Sequence, residues 1–324
     1  MTDWDKACEA IRKARGILLT THCSPDGDGI GSQIALYHAL KDAGRNVYMH
    51  NRDSVPRIYH FFPGSDAVTE GEDFAQKDID LIISLDAGSR SRLGFPDVFF
   101  EGRRLLDIDH HASNDRFGDI NLLEIKACST GAIIFELIER LGLRLSPAIA
   151  TAIYVTVLTD TSSFRNAATT ADALDLAARL VRAGAEPWPI AREVYESHSK
   201  EMIELLRTCL GTLELRDGGR SAWLYVNAAM YEHTGGDAQD TEGFIEYARS
   251  LQGVDIAVFI RPEIHTGWKV TFRGKYDADV GKLAASLGGG GHHHAAGCTL
   301  HGTFEEVQGK ARHAVSSLLA VCRT

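Results

Sequence analysis

Short, largely apolar runs recur through the first third of the chain, each followed by a polar turn. Residues 16–21 (Gly-Ile-Leu-Leu-Thr-Thr), 46–50 (Asn-Val-Tyr-Met-His), 81–85 (Leu-Ile-Ile-Ser-Leu) and 104–108 (Arg-Leu-Leu-Asp-Ile) have the length and make-up of strands. Between the first two, residues 34–40 place apolar side chains at helical spacing, and Ala43 and Gly44 supply a helix end. Strands alternating with helical segments imply βαβ units, and hence an α/β fold with a doubly wound, mostly parallel sheet. Further helices are predicted at 129–139 with Ser129 as N-cap, at 146–158 with Pro147 in the first turn, and at 171–183, closed by Gly184.

From Pro187 the pattern changes. Residues 188–215 read as one long, charged helix. Strand-like runs follow at 222–226, 256–260 and 268–272, then a glycine-rich segment 288–297, a strand at 298–300 and a terminal helix. The expected division is a first domain over 1–185, a helical linker over 186–210 and a smaller α/β domain over 211–324. A chain of 324 residues suits two domains.

Composition narrows the class. The six cysteines are scattered with no C-x-x-C pair, which suits a reducing compartment. The first five residues lack the basic and apolar regions of a signal peptide, and no apolar run approaches the roughly 20 residues needed to cross a bilayer. A cytoplasmic protein without membrane contact is expected. The formal net charge of −10 argues against a broad surface for long nucleic acid. A short RNA or a single nucleotide remains compatible, because metal ions and a few arginines can invert the field inside one cleft.

The chemistry lies at the ends of the predicted strands. Asp109, His110 and His111 follow the run 104–108; His22, Asp26 and Asp28 follow the first strand; Asp86 follows the third; Asp160 ends a helix. In open parallel sheets the ligand sits beyond the carboxyl ends of the strands. Taken singly, Asp26 or Asp28 could simply cap the next helix, and Asp86 or Asp160 could end a turn. Two histidines beside an acid are harder to explain structurally, since burying them costs desolvation unless each finds a partner. Five carboxylates sharing one cleft require bound cations, and carboxylates with imidazoles suit Mn²⁺ or a similar divalent ion. The reading is a two-metal phosphoesterase. In the second half, Gly289, Gly290 and Gly291 would let backbone N–H groups approach a phosphate, with His292 and Arg273 as further contacts. The plainer alternatives are a flexible linker and an exposed arginine.

These residues, in this order, resemble the motifs of the DHH phosphoesterases, and the segment 289–297 resembles the signature of their DHHA1 accessory domain. Length and layout look most like the branch of nanoRNases and 3′-phosphoadenosine-5′-phosphate phosphatases. The resemblance implies two Mn²⁺ ions. His22, Asp26 and Asp86 would hold one, and Asp28, Asp86, His110 and Asp160 the other, with Asp86 shared. His111 would face the scissile phosphate, with Asp109 supporting the histidine pair. Arg273, Gly289, Gly290, Gly291 and His292 would hold the nucleotide. The activity implied is hydrolysis of short oligoribonucleotides or of 3′-phosphoadenosine-5′-phosphate to mononucleotides. A cyclic- or linear-dinucleotide phosphodiesterase is the nearest alternative; a pyrophosphatase and a non-catalytic RNA-binding module rank below. A homodimer is compatible with this reading. The chain departs from the family pattern at Ser162, where glycine is usual, and at Gly274, where serine often follows the arginine.

Overall fold

The computed structural model describes residues 2–74, 78–263 and 267–322. The chain divides into two compact units, Met1–Ser197 and His198–Thr324.

In the first unit, α1 (Asp3–Lys13) precedes β1 (Ile17–Thr21), α2 (Gly27–Asp42), β2 (Val47–Asn51), β3 (Val68–Glu70), β4 (Leu81–Leu85), β5 (Arg104–Asp109) and β6 (Ile120–Leu123). Helices α3 (Thr130–Leu141), α4 (Pro147–Asp160), α5 (Ala171–Arg182) and α6 (Pro187–Tyr195) complete it. The sheet order is β3-β2-β1-β4-β5-β6, and every pairing is parallel. The order reverses between β1 and β4, the place where doubly wound sheets open a crevice at their carboxyl edge.

Strands β1 and β4 are buried at every position, as a sheet covered on both faces requires. Ile17, Leu19, Ile83 and Leu106 pack with the apolar faces of α1 to α4, whereas Leu18, Ile82 and Leu105 pack with Leu93, Phe99 and Phe100. That second face is therefore closed by short 3₁₀ turns, Arg90–Leu93 and Asp97–Phe100, rather than by α-helices. Gly94, at φ +72°, ends the first turn, and Pro96 bars it from running on into the second.

The second unit contains α7 (Lys200–Leu210), β7 (Glu214–Arg216), β8 (Ser221–Tyr225), α8 (Ala228–Thr234), α9 (Phe244–Arg249), β9 (Ile256–Glu263), β10 (Gly267–Gly274), α10 (Val280–Ser286), β11 (Gly290–Gly291), β12 (Ala295–Leu300) and α11 (Phe304–Val321). Its sheet order is β11-β12-β10-β9-β8-β7, antiparallel except for β8 with β9. The alternation along β8 divides two cores: Trp223 packs with Val270, Phe272 and Val315, while Ala222 and Leu224 pack with Leu205, Phe244 and Phe259.

The structure corrects one element. The single helix expected over 188–215 is two helices and a strand, α6, α7 and β7. Ser199 breaks it, because its hydroxyl accepts from the Met202 amide and so begins a new helix. Gly27, Asp28 and Gly29 form the first turn of α2, ahead of the helical spacing seen at 34–40. Among the described residues no helix is long and apolar enough to cross a membrane.

Candidate metal centre

The carboxyl ends of β1, β4 and β5 and the last residue of α4 converge on one cluster. His22 follows β1, Asp86 follows β4, Asp109 ends β5 with His110 and His111 next, and Asp26 and Asp28 stand at the start of α2. Their donor atoms form overlapping groups within 4.8 Å: His22 with Asp26 and Asp86; Asp28 with His110 and Asp160; Asp86 with Asp109, His110 and His111. These are all eight front-half residues named above.

Asp86 lies between two imidazoles. Its Oδ2 is 3.6 Å from His22 Nε2, and its Oδ1 is 3.7 Å from His110 Nε2. His110 Nε2 also faces Asp28 Oδ2 at 3.6 Å and Asp160 Oδ2 at 3.3 Å, and His22 Nε2 lies 3.8 Å from Asp26 Oδ1. Both rings are oriented from behind. His22 Nδ1 donates to the Cys23 carbonyl at 2.8 Å and His110 Nδ1 to the Ala127 carbonyl at 3.1 Å. A carbonyl only accepts, so Nδ1 carries a proton on each ring and Nε2 is the nitrogen presented to the acids, as a metal ligand requires.

The backbone prepares these positions. Asp86 has φ +59°, the left-handed corner that aspartate tolerates better than most residues. Asp26 is the N-cap of α2, accepting from the Asp28 and Gly29 amides, so the capping reading and the ligand reading describe one residue. Asp28 is buried and held by the N-terminus of α3: Thr130 N donates to Oδ2 at 2.6 Å and Gly131 N to Oδ1 at 3.0 Å. Helix N-termini favour a carboxylate in this way.

Electrostatically the cluster asks for cations. Burial, and then the charges of Asp86 and Asp160, push the Asp28 carboxyl well above its usual range. Burial opposes charge on His22, yet its hydrogen bonds to Asp26 and Asp86 raise the imidazole to about 10. Burial likewise opposes charge on His110, and Asp28 and Asp86 reverse the sign and raise it. Protons are thus held where five carboxylates crowd, and divalent cations relieve the same repulsion more completely. The donor set fits divalent cations, because all donors are carboxylate oxygens or imidazole nitrogens.

Beside them, His111 Nδ1 donates to Asp109 Oδ1 at 2.7 Å. One residue went unmentioned in the sequence reading. Asn114 Nδ2 lies 2.7 Å from Asp109 Oδ2 and 2.8 Å from Asp107 Oδ2, so it steadies the acid that orients His111. Its signal was its place three residues after the histidine pair.

Residues 16–157 match the family described as "DHH family, N-terminal domain", and residues 223–321 match the "DHHA1 domain". The chain is also 32% identical over 304 residues, 92% of this chain and 90% of the relative, to the "Bifunctional oligoribonuclease and PAP phosphatase NrnA" of Thermus thermophilus. The chain belongs to the DHH family. A Bacillus subtilis DHH relative of the same printed name is 25% identical over 292 residues, 88% of this chain and 89% of its own length. A solved structure described as an exopolyphosphatase-related protein from Bacteroides fragilis superposes with a TM-score of 0.87 at 25% identity, over 98% of this chain and 97% of that one. Ser162, where the DHH pattern usually has glycine, adopts φ +51°, which explains the usual glycine.

In the DHHA1 region, Arg273 is already paired within the fold. Its Nε donates to Glu246 Oε1 at 3.2 Å and a terminal nitrogen to its own residue's neighbour, the Phe272 carbonyl, at 3.3 Å. Arg273 pairs with Ala295 across β10 and β12, while Gly291 pairs with Ala296, so arginine and glycine segment flank one strand. Gly289 and Gly291 lie flat on β12: a Cβ on either would meet backbone atoms within 2.6 Å. Gly290 alone of the three faces open space. The His292 amide donates to the Ala295 carbonyl at 2.7 Å, closing the turn.

Proposed function

We propose that this chain is a dinuclear-metal phosphoesterase that hydrolyses short oligoribonucleotides and 3′-phosphoadenosine-5′-phosphate to mononucleotides. The observation that carries the reading is Asp86, with one oxygen toward His22 and the other toward His110. The substrates follow the names printed for relatives that align along almost the full chain.

In this reading His22, Asp26 and Asp86 hold one ion, and Asp28, Asp86, His110 and Asp160 hold the other. Mn²⁺ is the ion we assign, on the mixed carboxylate and imidazole donors. When bound, the ions supply an acidified water and positive charge opposite the phosphoryl oxygens. Asp109 accepts from Nδ1–H of His111 and fixes the orientation of its ring. His111 then offers Nε2–H to a non-bridging phosphoryl oxygen, where charge builds in the transition state. Asn114 keeps Asp109 from rotating away. The glycine segment and Arg273 hold the nucleotide in the second unit, which serves as the substrate-binding domain.

The test is a substrate panel with added Mn²⁺: RNAs of two to five nucleotides, 3′-phosphoadenosine-5′-phosphate, linear and cyclic dinucleotides, pyrophosphate and a long single strand. Turnover is expected on the short RNAs and the bisphosphate, and to vanish on chelation. Asp86→Ala should cost more than the ~10–100-fold typical of residues behind a metal ligand, with the circular-dichroism spectrum unchanged. Turnover insensitive to chelation, or equal on the long strand, would overturn the reading.

A further inference from the structure

The second unit contains a guanidinium pair of which the reading above uses only one member. Glu246, on α9, accepts from two arginines at once. Arg273 Nε is 3.2 Å from its Oε1, and a terminal nitrogen of Arg249 is 2.7 Å from its Oε2. The three side chains are only 25%, 21% and 30% exposed for Arg273, Arg249 and Glu246 respectively. One carboxylate between two guanidiniums cancels half their charge. A paired surface arginine contributes little to stability and needs no such enclosure. Drawing a second cation against a carboxylate that already has one adds desolvation cost and leaves the cluster with net positive charge.

His294 supplies a separate observation. Its carbonyl accepts from the amide of Gly274, the residue after Arg273, and its ring lies edge-on to His293 with centroids 4.5 Å apart. Its Nδ1 is shielded from solvent and has no hydrogen-bond partner among the described residues. An imidazole nitrogen left so is costly, and a ligand with donors or acceptors relieves it. Burial, and then the positive charges of His293 and Arg249, hold His294 below the usual imidazole range.

We infer that Arg249 is the second arm of an anion site formed with Arg273, bridged by Glu246, and that this site takes a terminal phosphate monoester of the nucleotide. The inference rests on the nucleotide reading of Arg273 given above. Monoester is the chemistry that matches: it carries a charge of about −1.5 to −2 near neutral pH and three terminal oxygens. An internal phosphodiester has one charge and two free oxygens, too few for two guanidinium forks. Arg249 therefore determines specificity: a dinucleotide with a terminal phosphate is favoured over the same dinucleotide without one.

The experiment compares pApA with ApA on the full chain with Mn²⁺. Wild type should prefer pApA in kcat/KM. Arg249→Ala should lose ~10–100-fold on pApA, mostly through KM, because one charge-assisted contact to phosphate is removed. ApA should lose no more than about threefold, since it has no group to place there. Arg249→Lys keeps the charge and the pairing with Glu246 but cannot fork, so it should fold as wild type and still lose most of the preference. Equal losses on both substrates, or no wild-type preference, would show a structural arginine and overturn the inference. If wild type hydrolyses neither substrate, the functional reading fails, and calorimetric titration of the metal-free chain with AMP decides this inference alone. AMP affinity lost in both Arg249→Ala and Arg273→Ala sustains it; affinity lost only in Arg273→Ala defeats it.

Discussion

Asp107 shows how much chemistry one buried carboxyl can carry without touching a metal. It lies inside β5, fully enclosed, with Oδ2 accepting from Asn114 and Oδ1 lacking a partner among the described residues. Burial, with the Asp109 charge adding to it against the Asn114 hydrogen bond, raises its pKa to about 8. An unfolded aspartate titrates near 3.9. Between these values the unfolded chain has released a proton that the folded chain retains, so stability falls as pH rises from about 4 to 8 by ~1.4 kcal/mol for each unit, then levels off. Asp107→Asn, which cannot titrate, should melt higher than wild type by a margin that widens from pH 5 to 8 and is constant above. Parallel melting curves across that range would show that Asp107 is ionised in the fold. The same segment illustrates what was legible: Asp109, His110 and His111 announced themselves as a run, whereas Asn114 matters only through distances no linear pattern contains.

At the scale of elements, the cluster depends on how closely three helices approach. A Cβ at Gly131 in α3 would sit 1.9 Å from Thr156 Oγ1 in α4, so only glycine permits that contact. The Gly131 amide also holds Asp28 Oδ1. Gly131→Ala should therefore lower stability by about 1–3 kcal/mol through overpacking and weaken Mn²⁺ binding by shifting α3 away from Asp28. Thr156→Ala in the same chain should recover part of both, read by denaturant unfolding and metal titration. Strands β1, β2, β4 and β5 were readable because burial on both faces leaves apolar runs; β3 and β6 were not, being short and largely polar or mixed. The long helix expected after Pro187 failed for a local reason, the Ser199 cap, which residue-by-residue polarity does not reveal.

For the whole molecule, two units with separate cores should unfold as two transitions. All donors of the proposed metal pair lie in Met1–Ser197. Free ion at 100 times its Kd adds about 2.7 kcal/mol to the state that binds it. In calorimetry, Mn²⁺ should raise one transition and leave the other unmoved, and Asp86→Ala should remove the shift. Both transitions rising together in wild type would place metal binding, or strong coupling, outside the first unit.

The sequence by itself determined the α/β class, the positions of most strands, and the acids and histidines that follow them, because burial imposes an apolar pattern and turns expose what comes after. It also pointed to Arg273 and the glycine segment. Tertiary structure alone decided that the strand ends meet at the β1 and β4 reversal, that Asp86 stands between His22 and His110, and that Arg273 shares Glu246 with Arg249. The physical reason is that such pairings join residues as far apart in sequence as His22 and Asp86. Their energies depend on distance and enclosure, which a linear pattern of residue types does not encode.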